Sequence, residues 1–364
     1  MAFLPEVKGP RRTGASGAKT GLPGALPAIS RHSHFIGVAV RHFPSTRRSA
    51  LQVLAAGAAA AAMPAWAQWP DKPVKIIVTF PPGGSSDVLA RLLAEQLARK
   101  LGQAVVVDNK PGAGGTVGGA LVAAAPADGY TLMLSNTTPI ALGPFTLEKL
   151  PYDPLAGFTH IASLGAAPLV VMASKPSNIR TWADFEAAAR RDGRIDFGSG
   201  GPGSIGHIHG ELLKRATGIN MVHVPYRGGA PMTTDLIANT IPVGIDVITA
   251  YVPFFKTGQL VPLAVTGKRR SPLMPEVPTM VELGQPTLVL ENFFGLSGPA
   301  RMPADLVGRL NTACNEVLAL PALQNRLADL GIVAAAETPA AFQAFVKTQV
   351  DILGSAVRSA GIKL

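Results

Sequence analysis

The sequence predicts an α/β protein, two domains with parallel-rich sheets around a ligand cleft. Three observations carry this. Apolar, β-branched runs alternate with amphipathic helical runs, the rhythm of a parallel sheet covered on both faces. Two glycine-rich turns, at residues 80–87 and 198–204, each lead from a strand into a helix. Two longer extended runs, at residues 161–173 and 288–297, interrupt the alternation and read as crossings between domains.

The chain has 364 residues, and its start differs in kind from the rest. Residues 1–48 are rich in Gly, Pro, Ser, Arg and His without apolar periodicity, as in a disordered leader or an overextended start. Arg47-Arg48, an apolar stretch over 50–63 and Ala65-Trp66-Ala67 then form the pattern of a cleavable export signal, with cleavage expected after Ala67. The apolar stretch is short for a bilayer span. The Arg47-Arg48 pair also fits a twin-arginine signal, so both export routes stay open. Eight of the 33 basic residues and one of the 23 acidic residues precede Gln68. The mature part therefore keeps 25 bases against 22 acids, a net +3, which excludes a nucleic-acid footprint. Cys314 is the only cysteine, so no internal disulfide can form. It is expected to be a buried apolar residue.

Residues 74–80 read as a buried strand, followed by a helix from Asp87 to Leu101 that Ser86 is expected to cap. Strands are expected at 104–107 and 130–135, with an alanine-rich helix between them ending near Pro126. After the first crossing, Thr181-Trp182-Ala183-Asp184 has a capping-box pattern. Strands at 194–197, 221–224, 241–247 and 260–266 follow, with helices at 205–216 and 232–238. Helices at 305–318, 322–330 and 340–360 end the chain. Two crossings imply a discontinuous first domain, 68–170 with 288–364, and an inserted second domain, 171–287, after a leader of 1–67.

Ligands of open parallel sheets sit at the carboxyl ends of the strands. There the sequence offers Pro82, Gly83, Gly84, Ser85, Ser86 and Asp87; Ser135, Asn136 and Thr137; and Ser199, Gly200, Gly201, Gly203, Ser204 and His207. Glycines allow close backbone approach, and a helix N-terminus presents free N–H groups and partial positive charge. Two such turns can grip one small anion from two sides without a lysine or arginine. The plainer alternative is that the glycines only make tight turns. Asp87 is expected to cap its own helix. Asp246, at a strand end, either takes an amine or hydroxyl of the ligand or acts as a cap.

Other chemistries fit less well. Gly201, Gly203 and Gly206 match the dinucleotide spacing, but residues 221–226 end without the acid a ribose needs. No cofactor is expected. His207 and His209 are two apart, on different sides of a helix, and no metal is expected. Residues 267–269 lack the Ser/Thr of a phosphate loop. Ser204 is one glycine short of a nucleophile elbow, which leaves a secreted serine hydrolase using Ser204 and His207 as the rival reading.

From Trp69 onward the chain resembles the substrate-binding receptors of tripartite tricarboxylate transporters. The matching stretches are 70–78, 82–91 (Pro82-Gly83-Gly84-Ser85-Ser86-Asp87 at its head), 107–115, 128–132, 203–207, 224–231 and 275–279. The resemblance implies a type II periplasmic-binding-protein-like fold that rests open and closes on its ligand. It implies no catalysis and a carboxylate held between the turns at 82–87 and 199–207. It also implies a periplasmic, monomeric receptor with two partners, a small organic carboxylate and integral-membrane permease subunits. A receptor signalling to a membrane sensor is a further alternative. Thr79 stands where the family usually has proline, and Gly157 where it usually has an acid; neither is expected to remove an anion-holding group.

Overall fold

The computed structural model describes residues 69–359. The leader and its cleavage site lie outside them.

The first unit is β1 (Val74–Val78), α1 (Ser85–Leu101), β2 (Val105–Asn109), α2 (Thr116–Ala123) and β3 (Thr131–Asn136). β1 pairs in parallel with β2 on one side and β3 on the other. Ile76, Ile77 and Val78 are all fully buried, because helices cover both faces of the sheet. α1 buries Leu89, Ala90, Leu93, Ala94 and Leu97, one stripe at helical spacing. It stops at Gly102, whose left-handed φ of 68° lets its N–H reach the Ala98 carbonyl.

A second unit repeats the plan: α4 (Trp182–Arg191), β5 (Ile195–Ser199), α5 (Ile205–Thr217), β6 (Met221–Pro225), α6 (Gly229–Ile237) and β7 (Val243–Val247). β5 pairs in parallel with β6 and β7. The expected capping box of α4 is present, Thr181 Oγ1 accepting from Asp184 N–H and the Asp184 carboxylate from Thr181 N–H. α5 ends at Gly218 in the left-handed region, close to the expected end at 216.

β4 (Phe158–Ser174) belongs to both units. Its residues 158–168 pair antiparallel with β9 (Glu291–Pro299), and its residues 169–174 pair with β7 and with β8 (Leu260–Val265). The strand order is β2-β1-β3-β9-β4-β7-β5-β6, with β8 also on β4. Both runs expected to be extended are strands or strand approaches, and they meet at one residue. Thr266 Oγ1 accepts from Leu169 N–H at 2.8 Å and donates to the Leu290 carbonyl, while the Thr266 carbonyl accepts from Leu290 N–H. α8 (Ala304–Leu318), α9 (Pro321–Ala328) and α10 (Pro339–Ser359) complete the chain. Cys314 is fully buried in α8, and burial pushes its thiol up to about 12.

Two short elements were not expected, and one local expectation changes. Residues 138–146, to which the sequence assigned no element, form a buried π-helical turn, Thr138–Leu142, followed by α3 (Gly143–Thr146). A short helix α7 (Val252–Lys256) was likewise not expected; both are too short to show a period. Gly84, not Ser86, is the N-cap of α1, so Ser86 lies inside the first turn.

Candidate functional site

The N-termini of α1 and α5 meet at a cavity with about 480 Å³ of empty volume, including its mouth. α1 contributes Gly84, Ser85 and Ser86, and the preceding loop Phe80 and Pro81. The end of β3 contributes Asn136 and the turn after it Thr138; the second turn contributes Gly200, Ser204 and Ile205. Gly228, Gly229, Asp246, Val247 and Asn292 complete the wall. Ser85 Oγ donates to the Val247 carbonyl at 3.3 Å, so the two units touch across the cavity. A second chamber adjoins it, lined by residues 111–115 and 200–202 and by Tyr226 and Arg227.

The first turn is shaped by Asp87. Its Oδ2 accepts from Gly83 N–H and from Arg91 Nε, both at 3.0 Å, and its Oδ1 from Asn109 Nδ2 at 3.0 Å. Burial alone would raise its pKa, but the bonds from Arg91, Gly83 and Asn109 outweigh burial and hold the carboxyl below its ordinary value. Asp87 is thus turned back onto its own turn, as expected, and away from the cavity wall. Gly83 needs its glycine because its φ is 84°. Gly84, at φ −81°, does not. A β-carbon there would meet nothing nearer than the Pro81 carbonyl at 3.7 Å, so neither backbone strain nor a close contact requires glycine at this position. Ser86 Oγ accepts from Asn136 Nδ2 at 3.0 Å, tying α1 to the end of β3.

The second turn is held by neutral groups. Ser204 caps α5, its Oγ accepting from His207 N–H at 3.3 Å and donating to Ser199 Oγ at 3.1 Å. Ser199 Oγ in turn lies 2.7 Å from His223 Nε2. His223 stacks on His207 with ring centroids 3.8 Å apart, and His207 Nδ1 accepts from Gly203 N–H. Burial, then the neighbouring His207, lowers the His223 pKa to about 4; burial also lowers that of His207, with Glu211 pulling the other way. The hydroxyl proton of Ser204 therefore points to Ser199, and its partner is not the His207 ring that the hydrolase reading requires.

The structure brings seven of the expected residues to the cavity: Gly84, Ser85, Ser86, Asn136, Gly200, Ser204 and Asp246. The others stand behind it. Pro82, Gly83 and Asp87 shape the first turn; Ser199, Gly203 and His207 brace the second; and Gly201 lines the adjoining chamber. Ser135 bonds to Ser297 at 2.8 Å, and Thr137 Oγ1 accepts from Phe293 N–H. His209 bonds to the Leu288 carbonyl on the far side of α5. Gly228 and Gly229 were missed, although they follow β6 and open α6 as the other two turns open their helices. Thr79 is fully buried beneath α2 with an unpartnered hydroxyl; it lines the adjoining chamber rather than the first cavity. A β-carbon at Gly157 would lie 2.5 Å from the Asp153 carbonyl, so this turn excludes the family's usual acid.

Residues 89–362 match the model of the tripartite tricarboxylate transporter family receptors. Protein BugT of Bordetella pertussis is 34% identical over 298 residues, covering 81% of this chain and 91% of that one. The solved periplasmic binding protein BugD is 31% identical, with TM-score 0.78, over 81% of this chain and 100% of its own. An R. palustris protein solved with adipate is 32% identical, with TM-score 0.78 and the same coverage. MatC from Rhodopseudomonas palustris, solved with malate, is 28% identical over 79% of this chain and 100% of its own, with TM-score 0.75. The chain belongs to the tripartite tricarboxylate transporter receptor family, and its fold is the two-domain fold of the periplasmic binding proteins.

Proposed function

We propose that this family member is an extracytoplasmic receptor that binds a small organic carboxylate and delivers it to a tripartite tricarboxylate-type permease, without catalysing a reaction. One observation carries the reading. Two helix N-termini, of the 17-residue α1 and the 13-residue α5, converge on a cavity whose lining offers hydroxyls, amides, glycines and one carboxyl, Asp246, and no lysine or arginine. First-turn N–H groups lack intrahelical acceptors and favour an anion. The carboxylates bound by the neighbours with adipate and malate support it. Residues 68–170 with 288–364 act as one domain and 171–287 as the other; the halves part to admit ligand and close on it. The mature chain begins at Gln68 and works in the periplasm as a monomer.

Thermal-shift screening of the mature protein against dicarboxylates, tricarboxylates, aromatic acids and amino acids tests this. One class should raise the melting temperature, and mass spectrometry should recover it unchanged. No stabilisation by any carboxylate, or conversion of the bound compound, would overturn the reading. N-terminal sequencing of periplasmic protein checks the export site; a start beyond Ile76, or intact protein in the membrane, rejects it.

A further inference from the structure

A larger cavity, with about 1530 Å³ of empty volume including its mouth, lies apart from the helix N-termini. Pro168, Gly267 and Glu291 line it, each the chain neighbour of a residue that meets at the Thr266 junction. Two distant segments form most of its wall, residues 267–273 after β8 and residues between 324 and 334 from α9 onward. Its apolar part is held firmly. Val333 exchanges two backbone hydrogen bonds with Ala166 of β4, at 2.8 and 3.0 Å. Gly165 permits that approach, since a β-carbon there would lie 2.2 Å from the Val333 carbonyl oxygen. Yet the Val333 side chain is 75% exposed, the most exposed large apolar side chain among the described residues. The backbone thus fixes an apolar side chain in the open, on a wall shared with Pro272 and Leu273.

The same wall carries cations without partners. Among the described residues no ion pair or side-chain hydrogen bond engages Lys268 or Arg269, whereas Arg270 is held by Glu282 and the Pro275 carbonyl. Two acids on the wall, Glu291 and Asp329, are likewise in no ion pair. Two free cations against two free acids leave the wall near neutral. It accepts one negative charge, placed at Lys268 and Arg269, and the two acids oppose a second. A roomy, largely apolar cavity between chain segments, with a few charged groups to fix orientation, is the usual setting of a small-molecule site. We propose that this cavity is a second ligand site, which takes a monocarboxylate with an alkyl or aryl body. Its head group lies at Lys268 and Arg269 and its body on Val333 and Leu273. The site shares no lining residue with the cavity at α1 and α5, and its ligand class is different: one charge on an apolar body.

Calorimetry with probes of equal chain length tests this: octanoate, suberate with a carboxylate at each end, and octan-1-ol with none. Gly84→Val is the background, so that binding at the α1 cavity does not contribute. Octanoate should bind about tenfold tighter, or more, than suberate or octan-1-ol. Lys268→Ala combined with Arg269→Ala should weaken octanoate about tenfold or more and erase its advantage over octan-1-ol. Val333→Glu sets a carboxylate on the apolar wall and should abolish octanoate binding. The three replaced side chains are exposed, so circular dichroism should show an unchanged fold and melting temperature. No binding of octanoate, a preference for suberate, or octanoate binding that survives either change at the wall overturns the proposal. The carboxylate-receptor reading depends on none of these outcomes, because it concerns the other cavity.

Discussion

At the start of α1 the turn is braced by charge, Asp87 gathering Arg91, Asn109 and the Gly83 amide. At the start of α5 the brace is a neutral chain from Ser204 through Ser199 to His223, with His207 stacked beside it. The second position of each helix differs in the same spirit. In α1 it is Ser86, whose hydroxyl bonds to Asn136; in α5 it is Gly206, pressed against a strand. The contrast teaches that one strand-to-helix turn geometry can be reached by two chemistries, one fixed across ordinary pH and one that titrates.

The largest expected effect lies in how closely α5 is docked. A β-carbon at Gly206 would fall 2.1 Å from the Ile245 carbonyl oxygen, a backbone atom that cannot step aside. Gly206→Ala should destabilise the protein by about 3 kcal/mol, read from the urea midpoint, whereas Ser86→Ala should cost about 1 kcal/mol. Equal losses at the two positions would erase the distinction in docking. Gly84→Val comes next. It should weaken ligand binding at least a hundredfold, about 2.7 kcal/mol, with the unliganded melting temperature little changed. Binding within threefold of wild type would mean that the glycine only turns the chain.

Acid separates the two braces. A histidine whose folded pKa lies below its unfolded value is protonated first in the unfolded chain. The His223 contribution is therefore complete above pH 6.5 and is lost as pH falls toward its folded value of about 4. The Asp87 pKa is lowered from 3.8, so its contribution persists through that window and is lost only below it. Between pH 7 and 4.5 the amides of Gly203, Ser204 and His207 should lose hydrogen-exchange protection, after correction for intrinsic rates, while those of residues 83–88 keep theirs. Parallel loss at both turns would show that the chemistry of the brace does not matter.

Ser204→Ala is the smallest change. It removes a cap and should lower stability by about 1 kcal/mol. Because the hydroxyl proton already serves Ser199, affinity should fall no more than about tenfold, 1.4 kcal/mol. A loss beyond a hundredfold would place that hydroxyl directly on the ligand.

Much of this architecture was legible in the sequence because each strand is an apolar run that keeps its identity in isolation. Ile76 to Val78 could be nothing but buried, and Gly102 and Gly218 cap their helices at or within two residues of the expected ends. The segment at 138–146 was not legible, since Pro139 and a short apolar run carry no period and only tertiary packing makes them helical. The site was half legible. Gly84, Ser85, Gly200 and Ser204 follow from turn chemistry, which is local. Asn292 reaches the cavity only because β9 lies between β3 and β4, and pairing across that distance leaves no mark in the sequence. The assignment of Ser199 and His207 to the ligand, where the structure makes them a brace, reflects the same limit: polar residues beside a glycine turn look alike whether they face inward or outward.

Thr266 gives the molecule a mechanical property. One hydroxyl clasps Leu169 on the outgoing strand and Leu290 on the returning one, so a twist in either is transmitted to the other. Under the two-domain reading proposed above, the two halves would behave as jaws on a single axle, with one angle describing their motion. Fluorophore pairs placed at different points along the rim should accordingly report the same opening rate.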